Sequence, residues 1–190
     1  MTEKRTDKRE ENSRAKTIPV PFPLEESKEN INISTNTASS PPKEEIINKA
    51  FSFHGQGNFS EASKYYQYFI DKGFKDFRVF ANYALILRDL GKLKEAALLT
   101  RKAIDIQPDF FEGYSNLGTI LDDLGNSKEA ELILRKAINI KPEEAQIHYN
   151  LGNILQNLGK LKEAELSYRK AIEIKPNDSK AHYNLGNILR

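Results

Sequence analysis

The chain has 190 residues, with 29 Lys and Arg against 27 Asp and Glu, a formal charge of +2, and no cysteine. Such near-balance argues against a nucleic-acid binder, which carries a pronounced basic face, and the lack of cysteine excludes disulfides, thiolate catalysis and Cys-based zinc sites while fitting a reducing compartment. No stretch approaches the ~18 apolar residues of a membrane span. The opening Met1–Glu10 leads into no apolar run, so a secretory signal is not expected and the expected location is cytoplasmic.

Residues 1–42 differ in kind from the rest. Seven basic and seven acidic residues, few apolar ones and clusters such as Ser34-Thr35-Asn36-Thr37 and Ser39-Ser40-Pro41-Pro42 predict a disordered tail, because such a composition cannot bury enough surface to order itself. Its one feature is Ile18-Pro19-Val20-Pro21-Phe22-Pro23-Leu24. Alternating prolines favour an extended polyproline strand, which reads either as a stiff spacer or as a docking peptide for a partner or for the chain's own groove.

From Lys43 onward the sequence repeats. Gly57, Gly91, Gly125 and Gly159 stand 34 residues apart, as do Ala62, Ala96, Ala130 and Ala164, and so do Pro108, Pro142 and Pro176. Residues 111–144 and 145–178 are identical at more than half their positions, and HYNLGNIL occurs at both 148–155 and 182–189. With Ala145 as position 1, apolar or small residues fall at positions 4, 7, 8 and 11 and again at 20, 24, 27 and 28, which is helical periodicity twice over. A glycine stops the first helix, and a proline follows the second. Each unit is therefore a helix hairpin in a stacked array. Nine helices are predicted, over 43–56, 59–72, 77–90, 93–106, 111–124, 127–140, 145–158, 161–174 and 179–190. Gly152 and Ala164 are small because two helices must approach within roughly 8–10 Å there.

These landmarks resemble the tetratricopeptide repeat family. Leu117-Gly118, Leu151-Gly152 and Leu185-Gly186 match its Leu-Gly, while Ala137, Ala171, Pro142 and Pro176 match its later positions. The resemblance covers Lys43 to Arg190 as repeats 43–76, 77–110, 111–144, 145–178 and a partial 179–190. It implies an all-α, right-handed α-solenoid whose first helices line a concave groove for a protein or peptide partner. The usual Trp is replaced by Ile46, Phe80, Tyr114, His148 or His182. Repeat one departs most, with Lys49-Ala50 for Leu-Gly, Phe69 for the late Ala and Gly73-Phe74 where Pro is expected, as suits a terminal cap.

The regularity that packing does not demand is at position 6: Asn48, Asn82, Asn116, Asn150 and Asn184. On a helical wheel this position lies away from positions 4, 8 and 11, so the amides are expected to leave the hairpin core and hold the backbone of an extended peptide, since an amide both donates and accepts. A similar asparagine ladder marks the repeat arm of O-linked N-acetylglucosamine transferases. Asn153, Asn187, Tyr149 and Tyr183, with Asn157 and Gln156, would make the C-terminal groove polar and aromatic. Arg78, Arg88, Asp89, Asp122 and Asp123 line its other end. Position 5 carries Ile47, Ala81, Ser115, Tyr149 and Tyr183, unlike the Lys and Arg of relatives that clamp a terminal carboxylate.

Catalysis finds no constellation. His148 and His182 occupy position 4 of adjacent repeats, about 10 Å apart, too far to share a metal, and read as packing residues. Asp122-Asp123 form an exposed pair at a helix end, and no cofactor is expected. Arg101-Lys102, Arg135-Lys136 and Arg169-Lys170, with Glu95, Glu129 and Glu163, read as a solvated outer face with local ion pairs. The partial last repeat leaves Leu185, Ile188 and Leu189 without a covering helix, which predicts fraying or self-association there. The reading is a non-catalytic scaffold that binds a partner in its groove; its rival is the substrate-recruiting arm of a glycosyltransferase or sulfotransferase.

Overall fold

The computed structural model describes residues 41–190, so the predicted tail and its Ile18–Leu24 motif lie outside the described residues. Nine α-helices, and no strand, make up the described residues: α1 (Lys43–Gly55), α2 (Phe59–Asp71), α3 (Phe77–Asp89), α4 (Leu93–Ile106), α5 (Phe111–Asp123), α6 (Ser127–Ile140), α7 (Ala145–Asn157), α8 (Leu161–Ile174) and α9 (Ser179–Ile188). The odd-numbered helices stop one or two residues before their predicted ends. In the first four this follows from the glycine. Gly91 at φ 75°, for example, turns the chain left-handed, and its N–H donates to Arg88 O at 2.8 Å while that of Lys92 donates to Leu87 O at 2.8 Å, closing the last turn early.

Several starts are fixed by side chains, though Asn126 at the start of α6 makes no capping bond. Asp178 Oδ1 accepts from the backbone N–H of Lys180 at 3.0 Å and of Ala181 at 3.3 Å, and Asp76 does the same for Arg78 at 2.9 Å. Arg78 also forks onto Asp76, and although burial works against ionisation, this partner holds the Asp76 carboxyl below its ordinary value.

Each odd helix packs on the next even one as a hairpin, and the even helix packs on the following odd helix. The first helices α5 and α7 also touch directly, whereas successive even helices do not approach as closely. Side-chain hydrogen bonds join successive odd helices, α3 to α5, α5 to α7 and α7 to α9, along the side that the family resemblance implies is the inner one. At the hairpin crossings a Cβ on Gly152 would stand 2.5 Å from the Tyr168 ring and one on Gly118 2.7 Å from Leu134, so it is a partner side chain that fills the space glycine leaves. At Gly186, in the same position of the last repeat, a Cβ would meet nothing within 4 Å.

Two apolar clusters run through the stack. The larger spans α3 to α9; the smaller joins α1 and α2 to Val79 and Ile86 of α3. The atypical first repeat fills its share with rings. Phe69 is fully buried and meets Phe74 at 5.4 Å, so Phe74 packs where a proline was expected, and Tyr66 is buried with its hydroxyl 2.9 Å from His54 Nδ1. On the outer side the expected local ion pairs form, Arg135 to Glu131 at 2.9 Å and Arg169 to Glu165 at 2.8 Å, and others cross between repeats. Arg101 reaches Glu129 at 2.9 Å and Arg135 reaches Glu163 at 2.6 Å, each tying one repeat to the next.

Candidate partner-binding surface

The inner side is built from positions 5, 6 and 9 of the odd helices, and its polar groups join neighbouring repeats. Asn150 Nδ2 donates to Ser115 Oγ at 3.3 Å, and Gln146 Nε2 donates to Asn150 Oδ1 at 2.9 Å. One repeat on, Asn184 Nδ2 donates to Tyr149 Oη at 3.3 Å and to Asn153 Oδ1 at 2.9 Å. Position 6 thus reaches back to position 5 of the preceding repeat. Where that position is Ile47, no polar partner exists, and Asn82 Nδ2 turns to Arg78 O of its own helix at 2.9 Å.

This geometry corrects the wheel-based expectation of open, groove-lining amides. Asn82, Asn116, Asn150 and Asn184 are 1%, 2%, 0% and 3% exposed, because leaving the hairpin core carries position 6 into the seam between successive first helices rather than into solvent. Tyr149 and Asn153 are buried with them, at 2% and 4%. Asn48, Asn187 and Tyr183 are exposed. The nine residues named from sequence are therefore divided into a buried seam and three exposed positions at the two ends. Phe51, Arg88, Asn116, Tyr149 and Asn150 also have further partners within the chain.

The seam converges where α7, α8 and α9 meet. Tyr168 Oη lies 2.8 Å from both Asn153 Oδ1 and Gln156 Oε1, and its ring is 6.1 Å from that of Tyr149. Asn153 Oδ1 accepts from Asn184 Nδ2 and shares the single Tyr168 hydroxyl proton with Gln156 Oε1, while Asn153 Nδ2 is buried with no hydrogen bond among the described residues. Burial pushes the Tyr149 phenol up, and the nearby Asn153 and Asn184 amides work against it. An unmatched buried N–H costs about 1–3 kcal/mol. Tyr168, which sequence reading had placed only in the hairpin core, is thus a member of the inner network; the signal was its hydroxyl at a position that repeats two and three fill with Thr100 and Leu134.

Four of the charged residues expected along the groove, Arg78, Arg88, Asp122 and Asp123, have partners. Arg88 bonds Asp123 at 2.8 Å, joining α3 to α5, and Asp122 accepts from Ser127 Oγ at 2.6 Å and from Asn157 Nδ2 at 3.0 Å. Of the pair expected to be exposed at a helix end, Asp123 is exposed and Asp122 half-buried. His148, 8% exposed, has Nε2 2.7 Å from Pro142 O, and His182 Nε2 sits 2.8 Å from Pro176 O. A carbonyl can only accept, so Nε2 carries the proton and the ring latches its helix to the preceding loop. A cleft of ≈ 340 Å³ at the N-terminal ends of the odd helices is lined by Phe77, Arg78, Phe110, Phe111 and Glu112. Its counterpart by Gln146, Tyr149, Asp178 and Lys180, ≈ 220 Å³, is polar. Burial raises the Glu112 pKa. Among the described residues no cluster of His, Asp and Glu is placed to hold a metal, and no helix is long and apolar enough to cross a membrane.

A stack of antiparallel helix hairpins with a polar seam along its inner side defines an α-solenoid of the helical-repeat class. Four family models, each described as tetratricopeptide repeat, match residues 50–109, 111–144, 145–178 and 167–190. The chain belongs to the tetratricopeptide repeat family. Solved structures carry the same fold at low identity. MamA from Desulfovibrio magneticus RS-1 superposes with a TM-score of 0.71 at 21% identity, over 77% of this chain and 82% of that one. YrrB, described as a TPR protein with an unusual peptide-binding site, gives 0.69 at 19% over 74% and 73%. The first TPR domain of human RPAP3 gives 0.59 at 23% over 60% and 89%. Comparison with curated protein sequences returns no match.

Proposed function

We propose that the chain is a cytoplasmic, non-catalytic adaptor that holds an extended segment of a partner protein along the inner side of its odd helices. The observation that carries this reading is the amide and hydroxyl seam of Ser115, Asn150, Tyr149, Asn153 and Asn184, ending in an amide donor, Asn153 Nδ2, that makes no well-aligned hydrogen bond among the described residues. A partner's backbone carbonyl brought to this seam offsets the desolvation of that donor and needs no particular side chain. Peptide binding by the fold relative YrrB supports the same reading. In it, Asn116, Asn150 and Asn184 set the spacing of the seam, and Asn153 supplies the contact.

The test is a titration of display-selected peptides against the full chain and against Asn153→Asp. This change keeps an acceptor for Tyr168 and Asn184 but replaces the donor with an oxygen. Affinity should fall about tenfold, the equivalent of one hydrogen bond at ~1.4 kcal/mol. Unchanged affinity in a variant with a wild-type helical spectrum would remove Asn153 from the site.

A further inference from the structure

We propose that the cleft between the starts of α3 and α5 is a pocket for one basic side chain of the partner, with aromatic rings along its stem and the Glu112 carboxylate at its charge. The proposal rests on the adaptor reading above and names the chemistry of one contact. It begins where the repeat departs from its own pattern. The residues that precede α3, α5, α7 and α9 are Asp76, Phe110, Glu144 and Asp178, and the three acidic ones accept a hydrogen bond from a backbone N–H of the helix they precede. Phe110 cannot, and the start of α5 has no side-chain cap. Position 3 changes with it: Val79, Ile147 and Ala181 stand in the other three repeats, whereas Gly113 leaves the space that the Phe110 ring fills, since a Cβ there would collide with that ring. The third repeat thus exchanges a capping bond for an aromatic floor, and local rules are broken in this way at functional positions.

The cleft so formed has a volume of ≈ 340 Å³. Phe110 is buried and braces Phe77, whose ring centroid is 5.0 Å away at an interplanar angle of 65°. Phe77 and Phe111 are half-buried, so they supply the open ring surface.

Charge decides what the cleft takes. Arg78 forks onto both oxygens of Asp76, at 3.1 and 2.8 Å, so its guanidinium is already engaged and is not held out to an anion. Nor is an anion needed at the helix starts: Asp76 serves α3, and the Glu112 carboxylate takes a hydrogen bond from its own backbone N–H in the first turn of α5. With Arg78 balanced by Asp76, the charge left over is negative, from Glu112 and from the exposed Asp109 at the rim. Glu112 is half-buried beside the rings, and the two charges that act on it from the next turn, Lys141 and Glu144, oppose one another. Burial disfavours its ionised form, which an incoming cation would restore. A lysine or arginine side chain has the matching form, a flexible apolar stem that lies along rings and a positive tip that favours both a carboxylate and an aromatic face.

The probes are the N-acetyl N-methylamides of arginine, lysine, norleucine and glutamate, each titrated into 15N-labelled full-length chain. Arginine and lysine should shift the amides of Phe77, Phe111, Glu112 and Gly113 in a saturable way. Norleucine, which keeps the lysine stem and lacks its charge, should bind about tenfold more weakly, and glutamate should leave these amides unmoved. Glu112→Gln keeps the size of the side chain and should bring arginine and lysine down to the level of norleucine without changing norleucine itself. Norleucine binding as tightly as lysine, a preference for glutamate, or equal arginine binding by Glu112→Gln would each overturn the proposal. So would the lack of any saturable shift at the cleft in the unaltered protein. Such a failure leaves the adaptor reading standing, because that reading is judged at Asn153 by the peptide titration.

Discussion

Gly152 and Gly186 occupy the same position of consecutive repeats, yet replacing each with alanine should move stability in opposite directions. At Gly152 the added methyl would stand 2.5, 2.6 and 3.0 Å from three atoms of the Tyr168 ring. That ring is fully buried and tied at its hydroxyl to Asn153 and Gln156, so it cannot swing away cheaply. Overpacking of this kind costs about 1–3 kcal/mol, and the gain in helix propensity from Gly to Ala returns about 1 kcal/mol, for a net loss of up to about 2 kcal/mol. At Gly186 the methyl meets nothing within 4 Å, and only the propensity gain of about 1 kcal/mol remains. Gly118→Ala should fall between them, because its neighbour is the Leu134 side chain at 2.7 Å, which has no hydrogen bond to hold it. A domain of this size shifts by roughly 2–4 °C per kcal/mol. Thermal unfolding by circular dichroism should therefore show a drop of up to about 8 °C for Gly152→Ala and no drop, or a rise of up to about 4 °C, for Gly186→Ala. Repeat arrays can unfold in parts, so hydrogen exchange over α7 to α9 should locate the change. Equal losses at both positions would refute the argument that close approach of Tyr168, and not the glycine backbone itself, sets the requirement.

Asn150→Ala and Asn184→Ala each remove hydrogen bonds between repeats from a buried seam, and each should lower unfolding free energy by about 1–3 kcal/mol in denaturant titration, whereas open groove residues would leave it unchanged. Arg135→Ala breaks an exposed ion pair to Glu163 and one to the largely buried Glu131, which Lys160 still holds at 2.7 Å, and should change stability by under about 1 kcal/mol, with the residual effect fading at high salt. For His54, burial lowers the pKa from its ordinary 6.5, so the folded state prefers the neutral ring. The unfolded chain then binds a proton that the folded chain resists; the contribution is present above about pH 6.5 and is lost as the pH falls below it. His54→Gln should accordingly flatten the part of the pH–stability curve just below 6.5, as seen in melting temperatures of the two proteins side by side.

Much of the fold was legible because its determinants lie within one repeat. The spacing of Leu151, Gly152 and Leu155 against Ala164, Tyr168 and Ala171 defines a hairpin from local periodicity alone, and Gly159 marks its turn. What the wheel of a single helix cannot contain is the next repeat. Asn150 leaves its own hairpin core as expected, yet it lands against Ser115, a residue 35 positions earlier, and is buried. The outer ion pairs divide in the same way: the local pairs Arg135–Glu131 and Arg169–Glu165 follow from helical spacing, whereas the bond of Arg101 to Glu129 crosses to the next repeat, which one helix cannot show. The histidine latch was legible in principle, since His148 and His182 each follow a proline by six residues and each bonds that proline's carbonyl. The divergence of repeat one was read as that of a cap; its content, an aromatic set of Phe51, Tyr66, Phe69 and Phe74, follows from larger side chains filling the space that glycine and alanine leave elsewhere.

The central claim is that partners are held along the inner side of the odd helices, and the most direct measurement is the footprint of a bound peptide on the full chain. A display-selected peptide titrated into 15N-labelled protein should shift amide resonances of Phe51, Leu85, Ser115, Tyr149 and Asn153 in one saturable process. The outer leucines Leu98, Leu132 and Leu166, which are 55%, 63% and 67% exposed and recur in three successive repeats, should stay unmoved. A footprint centred on Leu98, Leu132 and Leu166, with the inner seam unperturbed, would contradict the account and place binding on the opposite face of the solenoid.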